Sequence, residues 1–240
     1  MAELSASDKL CEEGKQLCAW ETKKVIQEQE VRGSVLKTQP AVVEIQCKIN
    51  PEGSSSTYSG QGSGVLISKD GYIITNSHCI FPDKYNPAIV VTVYEDTIVG
   101  REYKAKLVRR NKELDLALLK LQEVQQNKLP YLEFVDSDMI SYDKQLMVMV
   151  GRVSGTYTSS AGYCYGGSTP KTSPLNSNFL YFTYINFPGN SGGAVVTGKH
   201  PRLVAINKGI SGYEMGLYSV AIPAHTVKKF IQKHIPQLPE

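Results

Sequence analysis

The chain contains a long succession of short segments rich in branched apolar residues, and this pattern limits the fold more than any other feature. From Pro40 onward, apolar and polar residues alternate as in β-strands, and a turn at residues 69–71 joins two of these segments. The predicted strands are AVVEIQCKI, GVLIS, YIIT, AIVVTVY, REYKAKLVR, DLALLKL, LMVMVG, NFLYFTYI, GAVV, RLVAIN and LYSVAI. Helical periodicity is nearly absent between them, so the pattern predicts an all-β protein of barrels or sandwiches.

Helical patterns occur near both ends of the chain. Residues 5–30 are predicted to be helical, because Ser5 and Asp8 have the spacing of a capping box and a seven-residue repeat follows. The sequence pattern changes at Gly33. The repeat consists of Leu4, Cys11, Cys18 and Val25. It is too short for a coiled coil, so we interpret the segment as a helix docked on the main domain, with a self-association arm as the alternative. A second helix is predicted after Pro223.

The composition narrows the classes of protein. With 240 residues and 41% hydrophobic content, the chain is long enough for one large all-β unit or two small domains. The net charge is only +3 and the basic residues are dispersed, so nucleic-acid binding is not expected. The first ten residues carry acids and no apolar run, and no later segment has membrane-spanning length, so we expect a soluble protein without a membrane partner.

The cysteines bear on the cellular compartment. There are five, an odd number, at irregular spacing. Such a set does not resemble a disulfide framework and suits a reducing compartment. A cytoplasmic or nuclear location is therefore expected.

The stretch FPGNSGGAVV, residues 187–196, surrounds a serine with glycines ahead of a small apolar strand. Glycines beside Ser191 permit turn conformations closed to other residues and leave room for a substrate carbonyl. If the amides of Gly189 and Ser191 converge, they form an oxyanion hole for the intermediate of acyl transfer. A serine hydroxyl needs a base to become a nucleophile, so this interpretation requires a partner elsewhere in the chain.

Two upstream stretches supply that partner. TNSHCI, residues 75–80, places His78 just after a strand, and ELDLALLKL, residues 113–121, places Asp115 where a strand begins. A neutral histidine can take the serine proton and return it to the leaving group, while a buried aspartate fixes the histidine tautomer. The chain order is His, Asp, Ser.

Three of these stretches resemble the signature motifs of trypsin-like serine proteases, especially the HtrA/Deg branch. They are GSGVLISKDGYIITNSHCI, DLALLKL and PGNSGGAVV. Weaker similarities extend the resemblance to roughly residues 38–235. It implies two packed six-stranded antiparallel barrels with a C-terminal helix and an extra N-terminal helical segment. The implied parts are an N-terminal extension (1–37), a first barrel with His and Asp (38–122), a second barrel with Ser and the oxyanion hole (123–222), and a terminal helix and tail (223–240).

The resemblance also implies roles for individual residues. Ser191 is the expected nucleophile, His78 the general base and then acid, and Asp115 the orienting carboxylate. Gly189 and Ser191 would form the oxyanion hole, with Asn190 between them. The expected substrate pocket consists of Tyr184, Ile185, Asn186, Asn207, Lys208 and Gly209. No acid occurs between Ser177 and Tyr213, so cleavage after small or medium apolar residues of protein or peptide substrates is expected.

The sequence departs from the family pattern in four places. Asn190 stands where secreted relatives have an aspartate, so activation by a new N-terminus is not expected. Cys79 follows His78, yet residues 60–68 contain no partner cysteine, so we expect a free thiol. Phe187 is an extra residue ahead of Pro188 relative to the HtrA pattern. The PDZ domain common in that branch is not expected in this protein. The resemblance also implies a homo-oligomer, such as the trimer common among HtrA relatives.

Other interpretations fit less well. GNSGG also matches the nucleophile elbow of α/β-hydrolases, but those enzymes need an acid and a histidine after the serine, and no Asp follows Ser191. GQGSG, residues 60–64, precedes a hairpin and lacks the lysine of a phosphate loop. The histidines and cysteines lack metal-ligand spacing, so neither a metal nor another cofactor is expected. The competing function is a catalytically latent trypsin-like domain acting as a binding, chaperone or regulatory module.

Overall fold

The computed structural model describes most of the chain from residue 24 onward. The described residues are 24–25, 27–50, 56–94, 99–124, 128–135, 146–167, 179–198, 201–213, 216–232 and 234–235. They contain twelve strands: β1 (Val42–Ile49), β2 (Tyr58–Leu66), β3 (Tyr72–Thr75), β4 (Ala88–Tyr94), β5 (Gly100–Asn111), β6 (Leu116–Leu121), β7 (Leu146–Val153), β8 (Thr156–Gly167), β9 (Leu180–Phe182), β10 (Ala194–Thr197), β11 (Leu203–Tyr213) and β12 (Gly216–Pro223).

The strands form two closed six-stranded barrels. Their orders are β1-β2-β3-β6-β5-β4 and β10-β11-β12-β9-β8-β7, and neighbouring strands are antiparallel. The alternating branched residues pack into one continuous apolar core, which includes Val43, Ile74 and Leu118 of the first barrel and Val148 and Ile206 of the second. The all-β prediction and the two six-stranded barrels are confirmed.

The helices lie at the two ends of the described chain. Helix α1 (residues 27–38) continues through Gly33, where the sequence pattern indicated a change, and its buried Ser34 donates a hydrogen bond to the Thr197 carbonyl oxygen, 2.9 Å away. This contact docks α1 on the second barrel, whereas the predicted helical residues 5–23 lie outside the described part. Helix α2 (Ala224–Ile231) follows β12 directly and buries Val227 and Phe230, as predicted. No described helix is both long and apolar enough to cross a membrane.

Four strands differ clearly from the sequence prediction, and one of them, β11, continues to Tyr213, six residues beyond the predicted RLVAIN. Strand β8 (Thr156–Gly167) was missed because its sequence, TYTSSAGYCYGG, has few branched residues. Its pairing with β7 and β9 closes the second barrel, so barrel closure and not local propensity makes it a strand. Strand β2 begins at Tyr58, inside the predicted loop 51–60, whereas β9 covers only three residues of the predicted NFLYFTYI.

Candidate active site

His78 stands in a short 3-10 turn, Ser77–Cys79, just after β3. Its ring Nδ1 lies 2.8 Å from Asp115 Oδ2, and its backbone amide donates to Asp115 Oδ1 at 3.1 Å. Two contacts from one residue hold the carboxylate in a fixed orientation. About half of the His78 side chain is exposed, so the far side of the ring borders the solvent.

Asp115 closes the turn between β5 and β6 with a strained backbone. Its φ is +56°, in the left-handed region that non-glycine residues rarely adopt. Its carbonyl oxygen accepts hydrogen bonds from the Ser77 amide and the Asn76 side chain, both at 3.1 Å. Such strain persists only where the surroundings over-determine the conformation, and it is common at functional sites.

The Asp115 carboxylate changes the proton affinity of the imidazole. The hydrogen bond with Asp115, followed by a smaller one with Cys79, raises the pKa of His78 from 6.5 to about 10, while partial burial opposes the rise. A raised pKa means that the protonated ring is favoured at neutral pH. The ring therefore becomes a free base only as the pH rises through the alkaline range.

Ser191 lies in the glycine-rich turn between β9 and β10. Its carbonyl oxygen accepts a hydrogen bond from the Ser63 amide at 2.8 Å and lies 3.7 Å from Cys79 Sγ, beside His78. At Gly192, φ is +85° and a Cβ would lie 2.0 Å from the Ser63 carbonyl oxygen, so only glycine fits. The second barrel thus brings Ser191 against the strands that carry His78 and Asp115.

Lys208 touches two members of this group through different atoms. Its carbonyl oxygen accepts a hydrogen bond from Ser191 Oγ at 3.1 Å, so the hydroxyl points at β11 in this structure. Its Nζ lies 3.8 Å from Asp115 Oδ2, the same oxygen atom that lies 2.8 Å from His78 Nδ1. The sequence placed Lys208 in the substrate pocket but gave no signal of its contact with Asp115.

The loop of residues 189–191 leaves two backbone amides available. Gly189 has a φ of +89°, and neither its amide nor that of Ser191 donates a hydrogen bond to a residue within the described ranges. The Asn190 side chain is fully buried, with its Oδ1 accepting a hydrogen bond from the Thr158 hydroxyl. The backbone of Asn190 is also engaged in internal contacts: the amide donates to the Phe187 carbonyl oxygen at 3.1 Å, and the carbonyl oxygen accepts from the Gly193 amide at 2.9 Å.

The remaining predicted pocket residues fall into a buried and an exposed group. Asn186 and Asn207 exchange two hydrogen bonds, each 3.1 Å long, and the Tyr184 hydroxyl donates to Asn207 Oδ1 at 2.9 Å. Ile185, in contrast, is 63% exposed, and Gly209 faces open space. The first three residues form a rigid buried cluster behind Lys208, whereas Ile185 projects away from it.

The thiols near the site are unpaired. Cys79 is buried and free, as the sequence predicted. A Cβ at Gly62 would lie 2.6 Å from Cys79 Sγ, so a glycine stands where a partner cysteine would have to be. Among the described residues, no group of three or more His, Cys, Asp or Glu side chains is arranged to hold a metal ion.

Two barrels that contribute a His–Asp pair and a serine in a glycine-rich turn define the class of chymotrypsin-like folds. The sequence profile of the trypsin-like peptidase domain matches residues 62–206, more than half of the chain. The chain belongs to this family.

Relatives at about 30% identity are named as do/HhoA-like, DegP-like and DegQ serine proteases. The chain is 33% identical over 187 residues to a probable periplasmic serine protease do/HhoA-like of Haemophilus influenzae, with 75% of this chain and 38% of the relative covered. It is 31% identical over 192 residues to the periplasmic pH-dependent serine endoprotease DegQ of Escherichia coli, with 77% and 39% covered. The chain thus spans well under half the length of these relatives. The solved structure of the HtrA-type protease AlgW with decapeptide covers 85% of this chain and 67% of its own, with a TM-score of 0.67 at 24% identity.

These relatives overturn the expected location. The cytoplasmic or nuclear prediction is wrong, because the matching proteins are named periplasmic. The prediction depended on the odd number of cysteines. Cys47 and Cys79 are buried and form no disulfide in the described chain, and a buried thiol is protected in an oxidising compartment too. Cysteine count therefore does not report the compartment here.

Proposed function

We propose that this chain is a serine endopeptidase. The observation that carries the proposal is the 2.8 Å hydrogen bond between His78 Nδ1 and Asp115 Oδ2, with Ser191 packed against the neighbouring Cys79. Ser191 Oγ attacks the substrate carbonyl carbon, and His78 takes its proton and later passes it to the leaving amine. Water then hydrolyses the acyl-enzyme by the same route. The serine proteases among the relatives support the same reaction.

The amides of Gly189 and Ser191 are the proposed oxyanion hole. Both belong to the loop that carries the nucleophile, and both lack a partner in the described chain. Preorganised donors aimed at a developing negative charge usually supply the largest single term of such catalysis. Asn190 supports the loop from inside the second barrel.

The proposed substrates are proteins or peptides with a small or medium apolar residue before the scissile bond. A buried cluster of Tyr184, Asn186 and Asn207 offers no carboxylate, and the ammonium group of Lys208 adds a positive charge nearby. A cation at the pocket disfavours a substrate arginine or lysine. Peptide-library profiling checks this, and dominant cleavage after arginine would overturn it.

A latent domain with a binding, chaperone or regulatory role is the second candidate. Ser191 Oγ donates to Lys208 and not to His78, and a pKa of about 10 leaves only roughly one imidazole in a thousand neutral at pH 7. A client protein whose aggregation the Ser191→Ala variant suppresses would support this role. Absence of that effect, together with turnover by the wild type, would exclude it.

The deciding experiment is covalent labelling. Wild type and Ser191→Ala are incubated with a fluorophosphonate at pH 7 and pH 9, and intact mass is measured. One adduct on the wild type alone is expected, because only an activated serine displaces fluoride from phosphorus. Adducts on neither protein at either pH would overturn the endopeptidase proposal.

Light scattering on the same samples tests the proposed homo-oligomer, for which a trimer is the first expectation.

A further inference from the structure

Ser63 of β2 lies where the two barrels meet and is completely buried. Its backbone amide donates to the Ser191 carbonyl oxygen at 2.8 Å, and its own carbonyl oxygen accepts from the Thr75 hydroxyl at 2.7 Å. Its Oγ lies 2.8 Å from the Gly189 carbonyl oxygen, 2.8 Å from the Arg152 amide and 3.1 Å from the Arg152 carbonyl oxygen. One side chain thus connects β2, β7 and the nucleophile loop.

The hydrogen-bond inventory fixes the direction of these contacts. A serine hydroxyl has one proton to donate and two lone pairs to accept with. The Arg152 amide donates to Ser63 Oγ, and the hydroxyl proton goes to the closer acceptor, the Gly189 carbonyl oxygen. The result is a buried chain of donors from Arg152 through Ser63 to Gly189, in which each bond polarises the next.

Ser63 therefore binds the carbonyl groups of Gly189 and Ser191, the two residues of the loop whose amides have no partner among the described residues. Because a peptide group is planar, holding the Gly189 carbonyl orients the peptide between residues 189 and 190, and holding the Ser191 carbonyl orients the peptide between residues 191 and 192. These two peptides lie on either side of the one that carries the Ser191 amide. Val153 packs against Gly189 so closely that a Cβ on residue 189 would lie 2.4 Å from Val153 Cγ2. The loop is held from behind at both ends.

We infer that Ser63 is a positioning residue for the oxyanion site, holding residues 189–191 so that the Gly189 and Ser191 amides stay directed at the reacting carbonyl oxygen. The inference rests on the proposed function. The inference also gives a role to the GQGSG sequence, which does not form a phosphate loop. Gly64 packs closely against Ile45 and Ile73, and Ser63 faces the nucleophile loop.

The test compares Ser63→Ala with Thr75→Val as the matched control. Each substitution removes one buried hydroxyl of the same cluster, but only Ser63 binds the Gly189 carbonyl. The rate of fluorophosphonate labelling is measured as a function of reagent concentration, well below the melting temperature of every variant. The maximal rate constant should fall by about tenfold or more in Ser63→Ala, with half-saturation unchanged, because the phosphoryl oxygen occupies the oxyanion position. In Thr75→Val it should stay within about twofold of wild type.

The outcomes separate the two ideas. A wild type that is not labelled overturns the proposed function and this inference with it. Labelling of wild type and Ser63→Ala at equal maximal rates overturns the inference alone. If Ser63→Ala does not fold by circular dichroism, Ser63→Cys decides, because sulfur fills the volume but is a weak donor. A maximal rate equal to wild type in that variant contradicts the positioning role, and a reduced rate supports it.

Discussion

The chemistry of the site depends on a few residues whose properties come from their partners. His78 is an ordinary histidine in the sequence, and it gains its proton affinity from Asp115, whose backbone is held at a φ of +56° by Asn76 and Ser77. Lys208 places a positive charge on the same carboxylate. The proton affinity of His78 is therefore set mainly by Asp115, which lies 37 residues away in the chain, with a smaller contribution from Cys79.

The raised pKa of His78 predicts an alkaline activity profile. Because the general base must be neutral, kcat/KM should rise with pH through the alkaline range, with an acid limb near the folded pKa of about 10. The hydrogen bond also stabilises the fold fully below pH 6.5, and that stability is lost as the pH rises through about 10. In Asp115→Asn the acid limb should move down toward 6.5, while kcat falls about 10⁴-fold because the tautomer is no longer fixed. An acid limb near 6.5 in the wild type would contradict the assignment.

Lys208 provides a second prediction about the same group. Its ammonium lies 3.8 Å from the carboxylate that holds His78, and a like charge so placed should oppose protonation of the imidazole. We therefore expect Lys208→Met to raise the pKa of His78 and to shift the acid limb of kcat/KM to higher pH. Lys208→Arg keeps the charge and should leave the limb in place. The pH profiles of the two variants check this, and equal shifts in both would show that packing and not charge is responsible.

At the scale of elements, close contacts between segments decide what the site can contain. Strand β2 runs so near the 3-10 turn of His78 that Gly62 leaves space only for the Cys79 thiol. Gly192 meets the carbonyl oxygen of Ser63 with similar closeness. Gly62 lies where a strand contacts a turn, and Gly192 lies where the two barrels contact each other. Only a residue without a side chain fits at such distances, which explains the glycines in the two motifs.

The contact at Gly62 predicts an engineered disulfide. With oxidised glutathione as the oxidant, the Gly62→Cys variant should form a disulfide with Cys79. Its Cβ would lie 3.1 Å from the Cys79 Cβ, so the two segments need to separate by only about half an ångström to reach disulfide geometry. Closing this loop should stabilise the oxidised protein by about 2–4 kcal/mol relative to the reduced one. Intact mass should decrease by the two hydrogen atoms that the oxidant removes, and the gain in melting temperature should disappear with reductant. Gly62→Ser is the control, in which no reductant effect is expected.

At the scale of the whole molecule, the terminal helix connects the two barrels. Helix α2 follows β12 of the second barrel, yet Arg109 of β5 in the first barrel donates to the Phe230 carbonyl oxygen at 2.7 Å and packs its guanidinium 4.9 Å from the ring. A basic group at the last turn of a helix also complements the helix dipole. The division into domains at residues 37, 122 and 222 stays a prediction.

This connection predicts a stability effect remote from the active site. Phe230 is 3% exposed, so Phe230→Ala should lower the free energy of unfolding by about 3–5 kcal/mol through the lost burial and the cavity that remains. Lys229→Ala, at an exposed position on the same helix, should change it by less than about 0.5 kcal/mol. Urea unfolding of both variants tests the prediction, and equal effects would show that α2 does not stabilise the core.

The sequence by itself determined the all-β class, most strands, the C-terminal helix and the stretches that carry His78, Asp115 and Ser191. Alternation of side chains and glycine-rich turns are local properties, and a chain of letters records them directly. Only the tertiary structure decided that TYTSSAGYCYGG is a strand, that Lys208 faces Asp115, and that Ser63 binds Gly189, 126 residues away in the chain. Barrel closure and the meeting of two barrels create these contacts, and neither leaves a periodic signal in the residues involved.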